Sequence, residues 1–323
     1  MSNSPIHLVV VLKRINTFLK NKWVRLFFLA LTIFFTGLYF YNQSQSLMAL
    51  IREIDIKYYL ILISYILAFI AVILGGYVWV SLLKGFGYPV NWLMGLRIHL
   101  ISALAKYIPG GVWQFTSKVY LSYEKDIPPN ILGLVMFCEV GLTIFSGLGM
   151  GLLLSQNFMK AGWFPSWSGS ILSIIGILIL LFVFCSPLII RKLIAKIIKS
   201  GHRQLNLCVL YRGVFAVFAG WIFLSTSYWF SAIAFEIKNL DILTAILVIT
   251  GSYVTGFLVF FMPSGLIVRE GVAAFLLIGI LDANLVIVLS TILRIEIIIG
   301  EIMGLLLIFT FSHKLHKKGK LIK

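Results

Sequence analysis

The chain has 323 residues, 60% of them hydrophobic and 12% charged, with a mean hydropathy of +1.03 and a formal net charge of +16. This excludes an ordinary water-soluble globule, and apolar blocks of roughly 18 to 28 residues exclude the alternating stretches of about ten that a membrane β-barrel needs. The basic excess sits in short loops and tails rather than on a soluble surface, so no nucleic-acid partner is expected.

Residues 1–23 make a basic tail with Lys13, Arg14, Lys20 and Lys22, and Arg25 stands at the edge of the first apolar run, about 24–41. That run begins like a signal sequence but ends in Tyr39-Phe40-Tyr41-Asn42 with no small-residue cleavage pattern, so a retained anchor is expected. A clear span follows at about 58–83. Region 92–122 is apolar but broken by Pro109-Gly110-Gly111; the next spans fall at about 131–155 and 169–190, and the loop between them carries one charge, Lys160. A basic loop with Arg191, Lys192, Lys196, Lys199, Arg203 and Arg212 leads to a span at about 211–235. Region 241–281 is broken by Pro263-Ser264-Gly265, a last span covers about 284–311, and the basic tail 312–323 carries Lys314, Lys317, Lys318, Lys320 and Lys323. By the positive-inside rule the three basic clusters and both termini are cytoplasmic, in a multi-pass protein of the cell (inner) membrane.

Proline removes a backbone donor and clashes with the preceding turn, while glycine permits a reversal, so each break stops a helix inside the bilayer. The freed backbone groups must then line protein or water. With Lys118, Glu124, Lys125 and Asp126 cytoplasmic, region 92–122 reads as a re-entrant hairpin. Pro109 and Pro263 lie 154 residues apart, and the same shift moves 58–83 onto 212–237 and 131–155 onto 285–309, both already spans. The expected fold is an all-α integral membrane protein, one polytopic domain over 1–323, with about six full spans and two broken re-entrant hairpins. Its halves, about 58–155 and 211–311, form an inverted-topology repeat, with 24–41 and 169–190 as extra spans. The alternative is eight full spans, with 241–262 and 265–281 crossing separately.

Ionisable residues at membrane depth are costly unless paired or hydrated, so each is a candidate for function. Arg294 lies about ten residues into its span, Glu301 falls on nearly the same helical face, and Glu296 points elsewhere. Glu139 occupies a similar depth in the first half, and an Arg294–Glu139 pair across the repeat is expected, either functional or structural. Arg269 and Glu270 follow the second break; an arginine there offers a planar donor fork to phosphate, or else snorkels to an interface. Trp113 and Gln114 just past the first break suit a head group, and Lys106 and Arg97 suit either a site or the interface. His99 has no second histidine or cysteine spaced for a metal, so no metal or cofactor is expected. Cys138, Cys185 and Cys208 show no C-x-x-C spacing and read as packing residues.

The stretch Ser102-Ala-Leu-Ala-Lys-Tyr-Ile-Pro-Gly-Gly-Val-Trp-Gln114, with Pro263-Ser-Gly-Leu-Ile-Val-Arg-Glu-Gly271 about 150 residues later, resembles the flippase-like membrane domain of the lysylphosphatidylglycerol synthase family. The likeness runs from about residue 20 to 312. Gly111 and Gln114 stand near places where the family pattern has an arginine and a glutamate. Larger members carry a soluble synthase domain after the membrane part, and the short stretch after Phe311 leads to the expectation of a stand-alone membrane domain. The resemblance implies movement of an anionic lipid or a polyprenyl-phosphate-linked sugar between leaflets, with enzymes of glycan or lipid synthesis as partners; the two broken hairpins are expected to form the polar site, with Arg269 and Arg294 holding phosphate and Glu139 and Glu270 balancing charge or carrying a coupling proton.

No Walker A, G-x-S-x-G or H-E-x-x-H motif occurs, so direct use of ATP and those hydrolytic chemistries are not expected. The expectation is a lipid translocase rather than an enzyme. Two rivals stand beside it: a membrane transferase using a polyprenyl-linked donor with Glu139 or Glu270 as base, and a non-transporting subunit of a glycan-assembly complex.

Overall fold

The computed structural model describes residues 41, 56–107, 112–123, 127–156, 166–197, 205–259, 265 and 267–317. Among them all regular structure is helical, with no strand. Helix α1 (Tyr58–Gly85) is followed by α2 (Trp92–Leu104), a 3-10 turn (Ala105–Tyr107), α3 (Trp113–Tyr123) and α4 (Pro129–Leu153). Then come α5 (Ser166–Ile197), α6 (Leu207–Ala234), α7 (Ile242–Leu258), α8 (Val268–Leu276) and α9 (Ala283–Lys317). Four helices are long and apolar enough to cross a membrane: α1, α4, α6 and the stretch Trp167–Lys192 of α5. The protein is therefore a multi-pass membrane protein in character.

Local chemistry sets the helix starts. The side chains of Asn91 and Asn206 accept from the backbone N–H groups of Leu93 at 2.9 Å and Val209 at 3.2 Å, capping α2 and α6. Pro129 opens α4, where its missing N–H costs nothing. Helix α5 shows the lipid-facing pattern most plainly, with Trp167, Ile174, Leu178 and Leu181 exposed on a helix that leans mainly on α4.

The largest interface joins α1 to α6 along their whole length. Lys57 N donates to Ala234 O and Asn206 N donates to Gly85 O, each at 3.1 Å, so the two helices run antiparallel with both ends tied. Trp79, Leu82, Leu83, Leu210 and Tyr228 fill the seam. Helix α7 lies on α6 and α4, and α2 lies on α1 and α9.

Several expectations are revised here. Lys118, expected at the cytoplasmic surface, is 7% exposed on α3, because that helix turns it inward towards a carboxylate on α4. Among the cysteines, Cys138 is buried but Cys185 and Cys208 are exposed, so a packing role suits Cys138 alone; all three are free thiols. The first apolar run, about 24–41, falls outside the described residues apart from Tyr41, as do Glu124, Lys125, Asp126 and Lys160.

Candidate functional site

The described flanks of both interruptions foreseen in the sequence line one cavity. Pro109, Gly110, Gly111 and Pro263 themselves are outside the described residues, but their flanks are described. On the first side, α2 tightens into the 3-10 turn that carries Lys106, and the chain resumes as α3 at Trp113. On the second, α7 ends at Leu258, Gly265 has φ +66°, Ile267 has φ +71°, and α8 begins at Val268. A β-branched residue at positive φ is strained by about 1–3 kcal/mol, and here the strain sits two residues before Arg269.

Two glycines make the bed for that arginine. A Cβ on Gly265 would lie 2.9 Å from Gly256 Cα, and a Cβ on Gly256 would lie 2.5 Å from Arg269 Cγ. Close approach of α7 to the turn before α8 therefore requires glycine on both sides, and Arg269 lies across the resulting groove.

The cavity measures about 340 Å³. Ala71, Gly75 and Val78 on α1, Trp221 and Leu224 on α6, and Phe115 and Phe257 form its apolar wall; its polar lining includes His99, Lys106, Gln114, Lys118, Glu139, Arg269 and Glu301. Lys118 Nζ donates to both Glu139 oxygens at 2.6 Å and sits 4.4 Å above the Trp79 ring. His99 Nδ1 is 3.5 Å from the same carboxylate, longer than a good hydrogen bond. Lys106 donates to Glu301. Behind the cavity, Arg294 donates to Glu270 at 2.6 Å and ties α9 to α8.

Arg269 differs from the two lysines that line the cavity. Its guanidinium lies 3.9 Å from the centre of the Tyr253 ring, and among the described residues it has no carboxylate partner. Its Nε is buried with no hydrogen-bond partner. A partly exposed cation over an aromatic face gains about 1 kcal/mol from the ring, while its buried Nε keeps no partner.

Of the residues singled out from the sequence, Lys106, Gln114, Glu139, Gly265 and Arg269 line the cavity. Glu270 and Arg294 pair with each other outside the lining, and Trp113 begins α3 without lining it. The expected Arg294–Glu139 pair does not form: α8 brings Glu270 to Arg294 first, and α3 brings Lys118 to Glu139. Arg97, expected near the interface, lies 4.7 Å from the Phe309 ring centre. Sequence reading missed Lys118, His99, Glu301 and Tyr253 as cavity residues. For Lys118 the signal was present, since it stands four residues after Gln114 and so shares its helical face.

Among the described residues no group of His, Cys, Asp and Glu is suited to hold a metal. Compared with known protein families, curated proteins and solved structures, the chain matches none.

Proposed function

We propose that the protein is a lipid translocase that carries the phosphate-bearing head group of an anionic lipid, or of a polyprenyl-phosphate-linked sugar, through the bilayer by way of the cavity between its two interrupted helices. The carrying observation is Arg269, a half-buried guanidinium lining the cavity whose Nε has no hydrogen-bond partner and which makes no ion pair with a carboxylate among the described residues. Its planar fork matches phosphate oxygens two at a time. Lys106 and Lys118 add positive potential, each moderated by a carboxylate, so the site attracts an anion without holding it irreversibly.

The inverted repeat supports this reading and belongs to it. The order long helix, short helix, break, short helix, long helix occurs in α1 to α4 and again in α6 to α9. The first members of the two sets run antiparallel, and each interrupted helix crosses to the other set, α2 onto α9 and α7 onto α4. In such transporters broken helices meet at mid-membrane and build the substrate site. On this reading 92–122 and 241–281 are re-entrant hairpins, and the resemblance to the flippase-like domain of the lysylphosphatidylglycerol synthase family points to the same class of cargo. Both carboxylates that a transferase would use as base, Glu139 and Glu270, are held by cations, which favours transport over group transfer.

The test uses the purified full chain in vesicles carrying a fluorescent phosphatidylglycerol and, separately, a fluorescent phosphatidylcholine, with an impermeant quencher outside. Protein-dependent loss of inner-leaflet fluorescence is expected for the anionic lipid. Rates equal to those of protein-free vesicles, across anionic phospholipids and polyprenyl phosphates alike, would refute the reading.

A further inference from the structure

Away from the cavity, the seam of α1, α6 and α9 encloses a second polar cluster. Ser64 on α1 and Ser227 and Ser231 on α6 are 0% exposed, and Glu296 on α9 is 4% exposed. Ser64 is seven residues before Ala71, where the cavity wall on α1 begins, so the cluster stands about 10 Å nearer the Lys57 end of the helix.

No cation accompanies this carboxyl among the described residues. The ionisable groups on the surrounding helices are turned elsewhere. Lys57 pairs with Glu236, Arg294 with Glu270, Glu301 with Lys106, and His99 faces Glu139. Arg97 lies over Phe309 and Arg269 over Tyr253.

Counting protons decides the state of Glu296. Ser64 Oγ lies 2.8 Å from the Ser227 carbonyl oxygen and 2.9 Å from Glu296 Oε2. It also lies 2.8 Å from Ser231 Oγ and 3.0 Å from Ser227 Oγ. Ser64 has one proton, and the Ser227 carbonyl can only accept. If Ser64 donates to that carbonyl, its contact with Oε2 needs a proton from the carboxyl; if it donates to Oε2, two lone pairs face each other at 2.8 Å. A carboxyl proton on Oε2 removes the conflict, and Ser227 Oγ, 3.0 Å from Oε2, then donates to the same oxygen. A metal cation does not fit instead: a hard cation needs oxygens at about 2.3–2.6 Å around an empty centre, and the centre of this cluster is the Ser64 hydroxyl itself.

We propose that Glu296 is the proton-binding site that couples translocation. In the closed seam it is a neutral carboxylic acid. When α1, α6 and α9 part, the O–H bond of Oε2 breaks, the proton passes to entering water, and a hydrated carboxylate remains. The coupling role rests on the translocase reading, whereas the bound proton rests on geometry alone. It moves the coupling proton away from Glu139 and Glu270, both already held against cations. With no ATP-binding motif in the sequence, a proton gradient is one of the few energy sources open to the chain.

Two measurements on the full chain in vesicles test it separately. Infrared spectra at neutral pH should contain a protonated carboxyl stretch that Glu296→Gln removes and Ser231→Ala shifts. Ser231→Ala keeps the test decisive if the glutamine variant folds poorly, because the serine contributes only one of the hydroxyls. Spectra unchanged by both substitutions overturn the proton site, whether or not any lipid moves. With fluorescent phosphatidylglycerol and a trapped pH dye, wild-type translocation should move protons and vary with pH, and in Glu296→Gln no lipid-dependent proton movement and no pH dependence should remain. Wild-type lipid movement without proton movement overturns the coupling. Absence of lipid movement altogether overturns the translocase reading and the coupling with it, and the infrared result still decides the proton.

Discussion

At Arg269 the proposed anion site depends on guanidinium shape as well as charge. Lysine at this position keeps the charge but loses the planar fork that lies 3.9 Å from the centre of the Tyr253 ring. Arg269→Lys is therefore expected to lower translocation of anionic lipid about tenfold or more, since each charge-assisted hydrogen bond to an ion contributes about 1.5–3 kcal/mol. Expression and thermal midpoint should be unchanged. Measured full activity in the lysine variant would mean that Arg269 merely reaches an interface, where a long ammonium stem serves equally well.

Among the elements, the join between α7 and α8 matters most, because it holds Arg269 in its groove. Gly256→Ala should favour the helical backbone by about 1 kcal/mol, as alanine does over glycine inside helices. Yet its Cβ would lie 2.5 Å from Arg269 Cγ and push that side chain off its bed. The expected outcome is a folded, thermally stable variant with reduced translocation. Gly133→Ala on α4 is the control, for nothing lies within 4 Å of its new Cβ and activity should stay at the wild-type level. Equal activity in the two variants would disconnect the groove from transport.

For the molecule as a whole, the antiparallel pairing of α1 and α6 makes a topological prediction. Single cysteines at Lys84 and Lys192, introduced after replacing Cys138, Cys185 and Cys208, should react with an impermeant reagent from one side of the membrane. A cysteine at Lys238 should react from the other side. All three positions are exposed, whereas Lys118, held against Glu139, should be protected from both sides. Labelling of Lys84 and Lys238 from the same side would break the inverted arrangement and with it the two-hairpin reading.

The sequence by itself determined the membrane character and the approximate positions of the long helices among the described residues, because hydropathy acts locally. Span 58–83 became Tyr58–Gly85, 131–155 became Pro129–Leu153, and the positive φ at Gly265 is one that glycine permits. The sequence also marked Arg269, Glu139 and Lys106 as charges that needed an explanation at depth. Only the tertiary structure decided their partners. Lys118 meets Glu139 across 21 residues, Arg294 meets Glu270 across 24, and Lys106 meets Glu301 across 195. The same holds for Glu296, which the sequence placed on a face away from Arg294 but could not surround with Ser64, 232 residues earlier. A buried charge takes the partner that packing brings nearest, and nearness across helices depends on crossing and rotation, which no local pattern encodes.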